Sequence, residues 1–186
     1  VRDNESRSPD PTAAIVDSQS LRAAANIPRS TSGWDGGKKV GGRKRHLVVD
    51  CLGLVLAVAV TAASVQDRDA AVPLHERLRQ MYFSIRLVWA DGGYAGRLVD
   101  WAAENLHLTL EIVRRTDTTG FVVLPRRWVV ERTLSWLLRS RRLVRDYETL
   151  PVMHEAMVLW SMTMLMSGRL AGRRPGAFSR PASRAR

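Results

Sequence analysis

One cysteine, Cys51, in 186 residues leaves no disulfide framework and no cysteine-based zinc site. The histidines His46, His75, His107 and His154 are scattered, and no two form an HxxxH pair. Long apolar runs are missing as well. The longest, Leu52 to Val65, contains Gly53 and falls short of the roughly 18 residues that a membrane span needs. Its Val and Ala content reads instead as a buried strand or strand pair. Arg2, Asp3, Asn4 and Glu5 open the chain where a signal peptide would be apolar. The loop Gly33-Trp34-Asp35-Gly36-Gly37 lacks the Lys-Ser/Thr pair of a phosphate loop, and no GxSxG occurs to present a serine nucleophile. Acids are scarce: 18 Asp and Glu stand against 29 Lys and Arg, a formal net charge of +11.

What remains is a basic, globular sequence. Hydrophobic content of 45% and charged content of 25% are ordinary, and the length suits one domain. The isoelectric point near 11.2 favours a polyanionic partner, because neutralising phosphates releases condensed counterions. Acidic lipid, or basicity without a partner, is the alternative. The charge is clustered, in Lys38, Lys39, Arg43, Lys44, Arg45 and His46, then from Arg126 to Arg145, then in the last residues. Clustering favours nucleic acid.

Periodicity predicts a short strand over Ala13–Asp17, a helical turn within Ser18–Ile27 and a loop over Pro28–Gly42. A hairpin follows (Arg43–Asp50 and Leu54–Ala62), then a helix from Val65 through Gln80, a strand at Ile85–Ala90, a helix at Gly96–Asn105 and a strand at Leu108–Val113. Arg114–Gly120 reads as a polar loop, Arg126–Arg145 as one long helix, and Pro151 as the start of another reaching Leu170. Hairpins followed by alternating strands and helices imply an α/β fold, a mixed sheet flanked by helices. Residues 1–11 read as a flexible N-terminal segment, 12–170 as the domain, and 171–186 as a basic disordered tail.

Three carboxylates sit in unusual settings. Asp17 ends the apolar run Ala13-Ala14-Ile15-Val16, and Asp91 ends Ile85-Arg86-Leu87-Val88-Trp89-Ala90 before Gly92-Gly93-Tyr94. Glu131 borders the apolar stripe Val130, Thr133, Leu134, Leu137 and Val144 of a basic helix, with Trp128, Arg132 and Arg139 turned outward. A carboxylate at a buried strand end is costly unless arginine or a divalent cation neutralises it. Two-metal phosphodiester cleavage needs such acids to converge on cations about 4 Å apart. Each also has an ordinary reading: Asp17 as a helix N-cap, Asp91 as turn chemistry, Glu131 as an ion pair with Arg127. Asp67 and Asp69 read as caps of the helix that follows them. Trp34, and the tryptophans Trp128 and Trp136 among arginines, suit stacking on bases; Trp34 suits a core anchor equally well.

With those residues in view, the chain resembles the DDE transposases of bacterial insertion sequences, in the insertion-sequence-five group. The resemblance runs through Asp17-Ser18-Gln19-Ser20, the segment from Gly37 to His46, Ala90-Asp91-Gly92-Gly93-Tyr94, the segment from Arg127 to Thr133, Arg141-Arg142-Leu143 and Asp146-Tyr147-Glu148, covering about Ile15 to Leu170. It implies an RNase H-like fold, with Asp17, Asp91 and Glu131 as the acidic triad for two Mg²⁺ ions, Mn²⁺ serving as a substitute. It implies DNA as the partner, both terminal inverted repeats and target. Lys38, Lys39, Arg43, Lys44, Arg45, Arg126, Arg127, Arg132, Arg139 and Arg142 are the candidate DNA contacts. In the family signature around the glutamate, Leu124 and Leu138 replace the usual Tyr and Lys, and Arg139 stands next to the latter. Relatives carry a helical DNA-binding domain ahead of the first aspartate. Only about sixteen residues precede Asp17, and Val1 replaces Met, which suggests an alternative start codon, a fragment, or fusion to an upstream-encoded domain. The expected activity is cleavage at the ends of a mobile element and joining of the 3′-OH to target DNA, in a homodimeric complex, in the bacterial cytoplasm at the nucleoid. The alternatives are a DNA-binding remnant without activity and a structure-selective nuclease of the same fold.

Overall fold

A computed structural model describes residues 1–113 and 128–172. The strands are β1 (Ala13–Arg22), β2 (Gly33–Asp35), β3 (Val40–Val49), β4 (Val55–Ala62), β5 (Leu87–Ala90) and β6 (Thr109–Ile112). The helices are α1 (Asp67–Met81), α2 (Arg97–Leu106), α3 (Trp128–Leu137) and α4 (Pro151–Leu170). β3 is the hub. It pairs antiparallel with β1 on one edge, and on the other with β2 over its first residues and β4 over the rest. β5 joins the far edge of β1 in parallel, and β6 joins β5 in parallel.

Two-residue alternation divides the core between the faces of this sheet. Ala14, Val16, Val48 and Val88 pack with Ala71, Leu74, Leu78, Leu98 and Ala102 of α1 and α2. Ile15, Leu47 and Val49 pack with Val130, Leu134 and Leu137 of α3 and Val158 and Met162 of α4. Because both faces are covered, β3 is buried from Gly42 to Val49. The hairpin, α1, α2, β5, β6 and α4 fall within a few residues of the expected spans.

Three expectations are corrected. Ser18 to Arg22 form no helical turn but continue β1, since β3 supplies partners from Ser18↔His46 to Arg22↔Gly42. That also removes the N-cap reading of Asp17. The expected loop at Pro28–Gly42 contains β2 and the start of β3. The helix expected to run to Arg145 ends at Leu137. Beyond it the chain turns back to the sheet, where Leu143 is buried, Arg45 Nη1 donates to the Leu143 carbonyl at 3.0 Å, and Asp146 exchanges backbone bonds with Arg22 and Ala24. Val144 therefore leaves the apolar stripe and is 55% exposed. In the N-terminal segment the Arg2 guanidinium pairs with the buried carboxylate of Asp50 and Pro11 is buried, while residues 3–10 are exposed. The expected loop at Arg114–Gly120, the residues Arg126 and Arg127, and the tail from Arg173 lie outside the described residues.

Candidate active site

β1 and β5 run parallel with Ile15 opposite Trp89. Both side chains pack on the α3 side, and Asp17 and Asp91 each follow two residues later. Alternation therefore puts the two aspartates on the same face, Asp17 within β1 and Asp91 just past the end of β5. Each is held locally. Asp17 Oδ1 accepts the Ser18 N–H at 2.8 Å, and Asp91 Oδ1 accepts the Gly93 N–H at 2.8 Å, capping the 3-10 turn Gly92–Tyr94. The turn-chemistry reading of Asp91 is thus correct as far as it goes, and it fixes the carboxylate's direction.

α3 covers this face. Val129 and Val130, which immediately precede Glu131, belong to the cluster that contains Ile15 and Trp89. Thr133 sets the helix's height by donating its hydroxyl to the Gly53 carbonyl at 2.9 Å, in the β3–β4 turn. Gly53 has φ +80°, and a Cβ there would lie 2.5 Å from Thr133 Oγ1, so this close approach requires glycine. Glu131 is exposed on the helix. Among the described residues, no three His, Cys, Asp or Glu side chains are close enough together to hold a metal. Asp17 and Asp91 each lie two residues beyond the paired Ile15 and Trp89, and Glu131 is exposed on α3 next to Val130 of the same cluster.

A second group of polar residues borders the aspartates on the α1 side. Ser18 Oγ donates to Asp67 Oδ1 at 2.8 Å, and Lys44 Nζ pairs with the same oxygen at 3.1 Å. Asp67 lies inside the first turn of α1, and the N-cap position is Gln66, without a side-chain cap. The capping role expected of Asp67 is therefore not the one it plays. Tyr94 is 1% exposed, and its hydroxyl has no hydrogen-bond partner. Burial, aided by the carboxylates of Asp67, Asp17 and Asp91, raises that hydroxyl well above its ordinary pKa. Ser18 opposes the shift weakly; it sits close by, but its proton is given to Asp67. His46 is also buried beside this group, which pushes it down to about 4, so it is neutral at pH 7. An open cleft of about 610 Å³ runs alongside, lined by Ser18, Ser20, Asp35, Lys38, Lys44 and Asp67.

The basic residues divide sharply. Arg43 is 1% exposed and donates to Asp146 Oδ2 at 3.1 Å and to the carbonyls of Thr31, Glu148 and Thr149 at 2.9, 2.6 and 2.7 Å. Arg45 is 0% exposed, bonded to Leu143 and Gln19, and Lys44 is 7% exposed and paired with Asp67. These three were expected to meet DNA; their side chains are buried instead, Arg43 and Lys44 against acids and Arg45 against a carbonyl and an amide. Arg132, expected to turn outward, is half-buried between the rings of Trp128 and Trp136, 4.5 and 4.7 Å from their centroids. Arg142 is exposed but pairs with Glu148 at 2.8 Å. Lys38, Lys39 and Arg139 are exposed, as is Trp34 on β2.

A sheet ordered β4-β3-β1-β5-β6, with the first three strands antiparallel, the last two parallel and helices on both faces, is an RNase H-like fold. The simian T-cell lymphotropic virus intasome, in a complex with the PP2A regulatory subunit B56 gamma, contains a similar chain: TM-score 0.51 at 14% identity, over 84% of this chain and 49% of that one. The catalytic core domain of BIV integrase gives 0.48 at 14% identity, over 88% and 86%. The sequence pattern of the transposase DDE domain matches residues 8–166, and the chain belongs to that family. It is 32% identical over 122 residues to the Burkholderia cepacia protein described as the transposase for insertion sequence element IS402, a match spanning 62% of this chain and 58% of the relative. None of the described helices is long and apolar enough to cross a membrane.

Proposed function

We propose that this chain is the catalytic domain of an insertion-sequence transposase, cutting DNA at the element's ends and joining the freed 3′-OH to target DNA. Asp17, Asp91 and Glu131 are its acidic triad. The observation that supports this reading is the parallel pairing of Ile15 with Trp89, each two residues before an aspartate, within the cluster that α3 covers. The donor set is hard carboxylate oxygen, which suits Mg²⁺ or Mn²⁺. The buried, unpartnered Tyr94 hydroxyl beside it indicates a place where ordered water belongs. When bound, a pair of such ions supplies an acidified water and neutralises charge at the leaving oxygen.

The chain's own residues do the rest. Asp17, in the middle of a ten-residue strand, is the rigid reference point. Asp91 is aimed by its turn. Glu131, exposed on α3, would supply the third carboxylate oxygen donor. Lys38, Lys39 and Arg139 are exposed cations suited to phosphates, and Trp34 is an exposed ring in the β2–β3 hairpin that carries Lys38 and Lys39. The working form is an oligomer on DNA, and terminal repeats and target are its two DNA ligands. A strand-cleavage assay on inverted-repeat DNA with Mg²⁺ tests the assignment: Asp17→Asn, Asp91→Ala and Glu131→Gln should each abolish cutting and spare DNA binding. Unchanged cutting by Asp91→Ala refutes it. Binding without any Mg²⁺-dependent cutting in the unsubstituted chain identifies a DNA-binding remnant.

A further inference from the structure

Asp67 is 49 residues from Ser18 in sequence, yet its two oxygens face the two aspartate-bearing segments. Oδ1 accepts from Ser18, the residue after Asp17, and takes the Lys44 ammonium. Oδ2 faces the Asp91 turn. A Cβ built on Gly93 would lie 3.5 Å from Asp67 Oδ2 and 3.0 Å from Asp91 Oδ1, so both carboxylates approach one point that only a hydrogen occupies. The Tyr94 hydroxyl is buried within the field of Asp67, Asp17 and Asp91 and has no hydrogen-bond partner. A buried hydroxyl without a protein partner is the kind of position where ordered water sits.

We infer that Asp67 is a positioning carboxylate of the metal centre, spacing the Asp17 strand from the Asp91 turn and receiving the ion's water shell together with Tyr94, with Lys44 as its fixed counter-charge. The inference rests on Asp17 and Asp91 being metal ligands. Asp67 itself need not touch the ion. Groups in this position orient the ligands and the coordinated waters, and losing one typically weakens metal affinity by about 10- to 100-fold. Lys44 explains why a further carboxylate is tolerated: without a fixed cation, another negative charge so close to two aspartates would be strongly repelled. A helix-capping or purely structural role for Asp67 accounts for the Lys44 pair but not for the Gly93 approach or the orphaned hydroxyl.

The test uses Mn²⁺ binding to the full chain without DNA, read by electron paramagnetic resonance, alongside urea midpoints. Asp67→Asn should weaken Mn²⁺ binding at least tenfold. Asp69→Asn, an exposed acid in the same helical turn, should leave it unchanged. Tyr94→Phe, which removes a hydroxyl without a protein partner, should keep the fold and weaken Mn²⁺ binding several-fold. Wild-type Mn²⁺ affinity in Asp67→Asn, while Asp91→Asn has lost binding, overturns this inference and leaves the proposed function standing. Wild-type affinity in Asp17→Asn and Asp91→Asn instead overturns the metal-ligand reading beneath both. Should Asp67→Asn fail to fold, Tyr94→Phe decides, and unchanged Mn²⁺ binding in that variant overturns the inference.

Discussion

Replacing Arg43 by Met separates a folding role from a DNA-contact role at one position. The guanidinium lies at 1% exposure and bonds to Asp146, Thr31, Glu148 and Thr149. Its removal leaves Asp146, itself 0% exposed, with only His154 Nδ1 at 2.9 Å and the Glu148 N–H at 3.2 Å. Breaking a buried pair from one side costs about 3–5 kcal/mol, because the remaining charge stays desolvated. Whole domains are stable by only about 5–15 kcal/mol. At roughly 2–4 °C per kcal/mol for a chain of this size, Arg43→Met should lower Tm by about 10 °C, with a matching fall in the urea midpoint. Lys38→Ala is the comparator. Lys38 is exposed, so stability should hold within about 0.5 kcal/mol while the slope of log K against log salt for DNA falls by about one. An Arg43→Met protein with an unchanged urea midpoint and a reduced salt slope refutes the structural assignment and restores Arg43 to the DNA surface.

Backbone and titration predictions can be checked on the same material. Gly42 has φ +157°, and a Cβ there would lie 2.1 Å from the Leu21 carbonyl oxygen, so Gly42→Ala should cost about 3 kcal/mol or prevent soluble expression; a wild-type urea midpoint contradicts this. His75 is fully buried, its Nδ1 donating to the Ala71 carbonyl at 2.7 Å and its Nε2 without a partner, and burial pushes it down to about 4. Between that value and about 6.5 the unfolded chain takes the proton first, so stability is complete above pH 6.5 and falls by roughly 3 kcal/mol as pH drops to 4. His46 adds a loss of the same sign. His75→Leu should therefore flatten the acid limb of Tm against pH by about half, and an unaltered slope rules out His75 as a source.

The elements that were legible are those whose apolar period is internal to the segment. Leu74 and Leu78 mark α1, Leu98 and Ala102 mark α2, and the Val-rich runs on either side of Gly53 mark the β3–β4 hairpin. β1 was half legible because its second half is amphipathic in an unusual way. Ser18 and Ser20 turn to acids, Asp67 and Asp35, rather than to an apolar core, so no hydrophobic alternation shows. The end of α3 was not legible, because the turn back is set by Asp146 and Leu143 meeting β1 and β3 across about a hundred residues. Asp17 and Asp91 could be picked out as acids closing apolar runs. Their adjacency could not, since parallel pairing depends on a crossover that leaves no local trace. Asp67 signalled only a helix start, because an acid in the first turn of a helix is unremarkable.

The misplaced arginines carry the wider lesson about charge. Arg43, Lys44 and Arg45 lie opposite Leu21, Ser20 and Gln19 on β1, a few residues beyond Asp17 along the same strand. Successive side chains of β3 point to opposite faces, so Lys44 serves Asp67 and Asp35 on one side while Arg43 and Arg45 serve Asp146 and the chain after α3 on the other. Part of the complement of 29 Lys and Arg is thus internal, bonded to acids and carbonyls that the fold brings to the end of the sheet. A buried guanidinium releases no counterions on binding DNA, so the salt slope must reflect the exposed cations alone. Net charge identified the class of partner, and burial determines how much of that charge the partner meets.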